Sequence, residues 1–291
     1  MGLRNNYRKG MPFFEVMTKD ITCLIREGIY FIQNGGKLPV WVAAPTYPSK
    51  KTTLSKIARM NRVRLTNKMV TNPDVIVYFE NATYGSASAL RKKYPKANII
   101  NVNCPDISKE RVHVVHLEAL GYSMNLNPKT YIGVAVEKSD ENAVHDGQEV
   151  VCPMPFPKTD AVYQKVLDNT NEAGEYVDIR VPVIAGKIPL VYLKFKTKKY
   201  RFTNKAHRAT LHAPEELFSA EEIDHIEKYA AAMKVDFCEF DVIRHKGNQK
   251  IYIIDVNKTP YGPPEPLNKM EQAIALQKLS DAFMKMINSK S

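Results

Sequence analysis

Apolar and polar residues alternate most clearly in two runs, Phe237-Cys-Glu-Phe-Asp-Val-Ile-Arg244 and Ile251-Tyr-Ile-Ile-Asp-Val-Asn257, joined by the polar stretch His245–Gln249. Residues two apart on a strand share a face. The pattern therefore predicts a β-hairpin with Glu239 and Asp241 on one side of its first strand, and Asp255 and Asn257 on one side of its second. The flanking Ile253, Ile254 and Val256 argue against a solvated polar face, because a carboxylate set in a hydrophobic strand needs a partner.

Upstream, short apolar runs alternate with helical periodicity. Strands are expected at 39–44, 74–79 and 97–102, with helices at 51–64 and 85–94, a rhythm that suits a parallel α/β layer. Asp106 or Ser108 is placed to cap a helix that ends at Gly121. From Tyr131 the pattern becomes β-rich, with expected strands at 131–137, 161–167, 176–184 and 188–195, and Gly186-Lys187 as a hairpin turn. A helix over 213–233 follows, with Ser219 opening a Ser-Ala-Glu-Glu capping signature. The Pro/Gly-rich stretch after the hairpin precedes a last helix at 269–287. The predicted class is α/β plus α+β: an N-terminal parallel α/β domain over 1–104, a small lobe over 105–170 and a C-terminal lobe with an antiparallel sheet over 171–291.

Composition changes this picture little. The 291 residues are 44% hydrophobic and 25% charged, ordinary for a globular protein. The four cysteines are widely spaced and form no metal-ligand pair. No apolar run approaches a membrane span and no signal core is visible, so a cytoplasmic location is expected. Charge adds more. The net charge is +11, and residues 1–70 hold thirteen Lys/Arg against Glu15, Asp20 and Glu27. Such a block favours anionic partners: an anionic substrate, a peripheral position at an anionic membrane face, or simply a solvated basic surface. Zinc spacing and RNA-binding aromatic signatures are missing, which disfavours nucleic acid.

The candidate chemistry lies with the hairpin and with lysines before it. Carboxylate and amide oxygens from Asp241, Asp255 and Asn257 form the hard donor set Mg²⁺ prefers, leaving positions for water and phosphate. Lys138 ends a strand beside the small-polar loop Ser139–Gly147, a setting that suits phosphate gripping. Asp178-Ile-Arg-Val-Pro-Val183 and Leu190-Val-Tyr-Leu-Lys-Phe195 place basic side chains in apolar strands, where they pair with carboxylates or phosphates. His145, in the loop, is a lesser candidate for phosphate or substrate.

In order, these features (lysine, polar loop, hinge strand, basic strand pair, then Asp…Asp-x-Asn) resemble the ATP-grasp superfamily. The motifs Asp-Ile-Arg-Val-Pro-Val and Asp-Val-Asn-Lys-Thr-Pro are similar to a poorly characterised group associated with surface-glycan gene sets. The resemblance implies ATP and Mg²⁺ as cofactors, with Asp241, Asp255 and Asn257 as metal ligands. It implies Lys109 (or Arg111), Lys138 and Lys194 on the phosphates, and Gln164, Lys165 and Val166 at the adenine hinge. It further implies an ADP-forming carboxylate-amine ligase acting through an acyl phosphate on a small-molecule or glycan acceptor of anionic character. A sugar kinase or a glycosyltransferase using a nucleotide-sugar is the alternative. Related ligases carry Arg two residues before the first metal acid, where this chain has Glu239; Arg180 and Arg201 are the expected substitutes.

Overall fold

The computed structural model describes residues 12–141, 144, 146–201, 203 and 205–289. After helix α1 (Phe13–Gln33), the chain builds a parallel four-stranded sheet in the order β2-β1-β3-β4. Its strands are β1 (Val40–Pro45), β2 (Arg64–Thr66), β3 (Val75–Phe79) and β4 (Ile99–Ile100), with α2 (Thr53–Met60) and α3 (Ser88–Lys93) between them. Every residue of β3 is buried, as a continuous Val-Ile-Val-Tyr-Phe run requires when both faces of a parallel sheet are covered.

Helix α4 (Lys109–Leu120) starts at Ser108, whose hydroxyl accepts from Arg111 N, and stops at Gly121 in the left-handed region, φ 78°. Of the two expected caps, Ser108 therefore serves, and Asp106 Oδ1 instead accepts from Ser108 N at 2.8 Å. A three-stranded antiparallel sheet follows, β6-β5-β7, from β5 (Gly133–Ser139), β6 (Gln148–Cys152) and β7 (Ala161–Lys165).

The largest sheet is antiparallel, in the order β10-β9-β8-β11-β12. It comprises β8 (Tyr176–Ile184), β9 (Val191–Lys196), β10 (Arg208–His212), β11 (Phe237–Arg244) and β12 (Ile251–Asn257). The helix expected over 213–233 is two helices, α5 (Pro214–Leu217) and α6 (Ala220–Met233). The Ser219–Glu222 capping box starts the second rather than reinforcing one long helix. The last helix, α7, runs Lys269–Ser289.

Two cores support the large sheet. Val112 and Val115 of α4 and Ile226, Tyr229 and Met233 of α6 pack against Val181, Phe240 and Val242. On the other side, Phe283 of α7 meets both Trp41 of β1, at 5.1 Å between ring centroids, and Phe237 of β11, at 5.3 Å. The C-terminal helix thus packs on the N-terminal sheet, and α4 packs on the C-terminal one.

Candidate active site

The expected hairpin is β11–β12, and its register assembles the site. Asp241 lies opposite Asp255 on β12 and opposite Arg180 on β8; Glu239 lies opposite Asn257 and Pro182. Two adjacent rows across β8, β11 and the edge strand β12 therefore carry Arg180, Asp241 and Asp255, then Glu239 and Asn257. The register shifts between Asp241 and Val242, where Val242 pairs with Ile253 and Ile254 becomes the extra residue. Such a bulge re-aims the side chains beside it, and both Ile254 and Asp255 line the same cavity.

The position of Glu239 is explained by Arg180. Arg180 Nη1 donates to Glu239 Oε1 at 3.2 Å and forms a second ion pair with Asp241. Both Arg180 and Glu239 are buried, so each charge needs the other. Burial raises the Glu239 carboxyl above its ordinary value, while Arg180 and Lys194 pull it back. Asp241 is pushed up to about 7, chiefly by burial, with Arg180 opposing and Asp255 reinforcing the shift. Lys194 is lowered to about 8 by burial and by neighbouring Arg180.

On one side of this row lies a cavity of about 180 Å³. Its apolar walls are Val136, Leu167, Ile243 and Ile254, and its polar end carries Lys109, Lys138, Asp241 and Asp255. Lys138, near the end of β5, is lowered to about 8 by burial and then by Lys109. Lys109 opens α4, and its Nζ donates to Glu141 O in the loop after β5. Arg111, the alternative to Lys109, turns away and donates to Ala232 O on α6.

At the end of β7, Gln164 Nε2 donates to Asn125 Oδ1 at 2.9 Å, and Lys165 N donates to Met124 O at 2.9 Å. Gln164 and Lys165 line the cavity together with Leu167 and Asn169, whereas Val166 does not. Arg201 also lines it, bridging Glu149 Oε1 at 2.6 Å and Leu167 O at 3.2 Å beneath the Tyr176 ring.

On the other side lies a larger cavity of about 790 Å³, which shares Asp241 and Asp255 with the first. Its lining mixes Lys51, Lys56, Arg180, Lys194 and Lys205 with Glu239, Asp241, Asp255 and Glu265, and Lys51 pairs with Glu265 at 3.0 Å. Its wall is the segment after β12, held to the start of α2 by Thr53 N donating to Pro260 O at 2.9 Å. A Cβ on Gly262 would stand 3.2 Å from Thr53 Oγ1, so glycine lets this wall close. Asn257 Oδ1 accepts from Thr259 N at 2.9 Å, which fixes its amide beside the acids. Behind it, Lys258 is fully buried and donates to Cys104 O at 2.8 Å.

The structure thus brings Asp241, Asp255 and Asn257 to one face of the sheet, and Lys109, Lys138, Gln164 and Lys165 to the smaller cavity. It separates Lys194 and Arg180, which line the larger cavity, from Arg201, which lies beside Leu167 in the smaller one. His145 falls outside the described residues. Sequence reading missed Lys196, which lines the smaller cavity and pairs with Asp178. The signal was available: Lys196 stands two residues after Lys194, on the same strand face. Among the described residues no group of three or more His, Cys, Asp or Glu is arranged for a metal. The donor set here is two carboxylates and one amide, all oxygen, which fits a hard divalent ion retaining water.

No protein-family profile matches the chain, and no curated protein matches it. Solved structures do. The ATP-grasp ligase PsnB, complexed with minimal precursor, Mg and ADP, is similar with a TM-score of 0.56 at 10% identity, covering 86% of this chain and 98% of that one. D-alanine–D-alanine ligase from Bacillus anthracis complexed with ATP is similar with a TM-score of 0.54 at 12% identity, covering 87% and 97%. At such identities the likeness is one of architecture, extending over nearly all of both neighbours: the chain has the ATP-grasp fold.

Proposed function

We propose that this protein is an ATP- and Mg²⁺-dependent, ADP-forming ligase that joins a carboxylate to an amine through an acyl phosphate. The observation that carries this reading is that a lysine-tipped cavity with apolar walls and a larger cavity lined by Lys56, Arg180, Lys194 and Lys205 share Asp241 and Asp255. A group passing between two substrates must cross there. The flat apolar slot between Val136, Leu167, Ile243 and Ile254 suits a nucleobase, and Lys109 and Lys138 suit its phosphates. Mg²⁺ held by Asp241, Asp255 and Asn257 would neutralise phosphate charge where it develops.

In the larger cavity Arg180 and Lys194 would hold the acceptor carboxylate. One carboxylate oxygen attacks the γ-phosphorus, the β–γ bridging P–O bond breaks, and ADP leaves. The amine nitrogen then attacks the acyl carbon: the C–N bond forms, the acyl C–O bond to phosphate breaks, and the departing phosphate carries off the amine proton. The protein's part is positioning and charge stabilisation. Lys56 and Lys205 point to an acceptor with anionic groups beyond the reacting carboxylate.

The test is ADP release with Mg²⁺-ATP across a panel of carboxylates, glycan-derived acids included, with hydroxylamine present to trap acyl phosphate as hydroxamate. Carboxylate-dependent ADP with matching hydroxamate is the expected result. ADP accompanied by a phosphorylated sugar would replace ligation with a kinase. Thermal stabilisation by a nucleotide-sugar but not by ATP would replace both with glycosyl transfer.

A further inference from the structure

Helix α1 lies on the domain with the wrong face outward for a core helix. Among the described side chains, its inward line is polar from Asp20 onward. Tyr30 Oη donates to Arg59 O at 3.4 Å, Asn34, just beyond its end, donates to Arg62 O at 3.1 Å, and Glu27 pairs with Arg64 at 3.7 Å. Among the described side chains of α1, Asp20, Cys23, Arg26, Glu27 and Tyr30 are partly covered, along one face.

The opposite face is apolar and open. Phe14 is 74% exposed, Ile25 60% and Ile32 77%, with Ile21, Leu24 and Ile29 each at 47%. From Phe14 to Ile32 this stripe runs about 27 Å. A contiguous exposed apolar patch of that length marks a docking surface.

The charge around it selects the occupant. Residues 34–70, on which α1 rests, hold eight Lys/Arg and no Asp or Glu. Lys37, Arg59, Arg62 and Lys68 are exposed. A second copy docked symmetrically through α1 would bring two such basic blocks together, an arrangement that like charges oppose. The stripe is also broader than a two-stranded seam: Ile25, Ile29 and Ile32 lie beside the Phe14–Met17–Ile21–Leu24 line. An apolar helix face bordered by basic surface matches a bilayer carrying anionic headgroups.

We propose that the outward face of α1 docks the protein on an anionic lipid bilayer surface, with exposed Lys37, Arg59, Arg62 and Lys68 reading the headgroups. This surface is independent of the ligase assignment.

The test is co-sedimentation of the full chain with vesicles of phosphatidylcholine alone and of phosphatidylcholine with about one-third phosphatidylserine. Binding is expected to the second only and to weaken at high salt. Ile25→Glu with Ile29→Glu should lower partitioning at least tenfold without moving the melting temperature, because both side chains face solvent. Arg59→Glu with Arg62→Glu should remove the preference for phosphatidylserine. No vesicle binding would overturn the proposal. A dimer in sedimentation equilibrium that Ile25→Glu and Ile29→Glu dissociate would also overturn it, assigning the face to a second copy.

Discussion

Replacing Arg180 tests whether Glu239 is explained by charge pairing across β8 and β11. At 3.2 Å, and with an effective dielectric constant of about 20, the pair's Coulomb attraction is about 5 kcal/mol before the opposing desolvation. Arg180→Met leaves Glu239 and Asp241 buried without their shared cation, and the expected loss of stability is about 3–5 kcal/mol. Glu239→Gln keeps the side-chain shape and an acceptor oxygen, and Asp241 still holds Arg180, so about 2 kcal/mol is expected. In the double variant the pair is gone from both sides. Its loss should fall short of the sum of the singles by about 2 kcal/mol, read as midpoint shifts in urea unfolding. Additivity within about 0.5 kcal/mol would refute the pairing. Glu239→Gln has a second expected consequence. With one partner removed, Arg180 leans on Asp241 alone and competes with the metal, so the Mg²⁺ concentration for half-maximal turnover should rise about tenfold, or about 1.4 kcal/mol. An unchanged Mg²⁺ requirement would separate Arg180 from the metal site.

Further expectations concern the smaller cavity and the core. Asp255→Asn should cut Mg²⁺-dependent ATP turnover by at least about a hundredfold while leaving the circular dichroism melt nearly unchanged; retained turnover would remove Asp255 from the metal site. Lys138→Met should weaken ATP binding about tenfold or more in a calorimetric titration, with a smaller effect on ADP if the lysine reaches the terminal phosphate. His116 is fully buried, its Nδ1 accepting from Ile253 N at 3.3 Å, and burial lowers it to about 4. The unfolded state therefore binds the proton first as pH falls. Stability present above about pH 6.5 should decline by about 2 kcal/mol between pH 7.5 and 5. His116→Phe should flatten that part of the slope at an overall loss of about 1–2 kcal/mol, because Ile253 N–H loses its acceptor.

The hairpin was legible because period-two alternation is strong wherever one strand face is apolar, and Asp241, Asp255 and Asn257 follow directly from it. The bulge that adds Ile254 to the wall of the smaller cavity was not legible, since one extra residue leaves the alternation of each strand almost intact. Arg180 illustrates a second limit. Its composition and strand were readable, but its place opposite Asp241 depends on the pairing of β8 with β11, a register set by packing across residues about sixty apart. Lys194 and Lys196 show a third. They share a face, yet one lines each cavity, and only the position of β9 relative to the Asp241–Asp255 row decides which. Helix α1 was hidden for another reason. Its apolar spacing is helical, but nothing local tells whether such a stripe points into a core or away from one.

The contact of Phe283 with Trp41 ties the order of synthesis to the order of folding. β1 emerges early, yet one covering of its sheet is α7, more than two hundred residues later. Domains generally mature as units while the chain is still growing. Here the apolar face that Trp41 shares with Leu54 and Ile57 of α2 is completed only when residues 269–289 arrive, so the earliest-made strands are among the last to be fully sealed. Contacts of such sequence separation slow folding, and a chain interrupted before α7 would present the face of Trp41 to its neighbours.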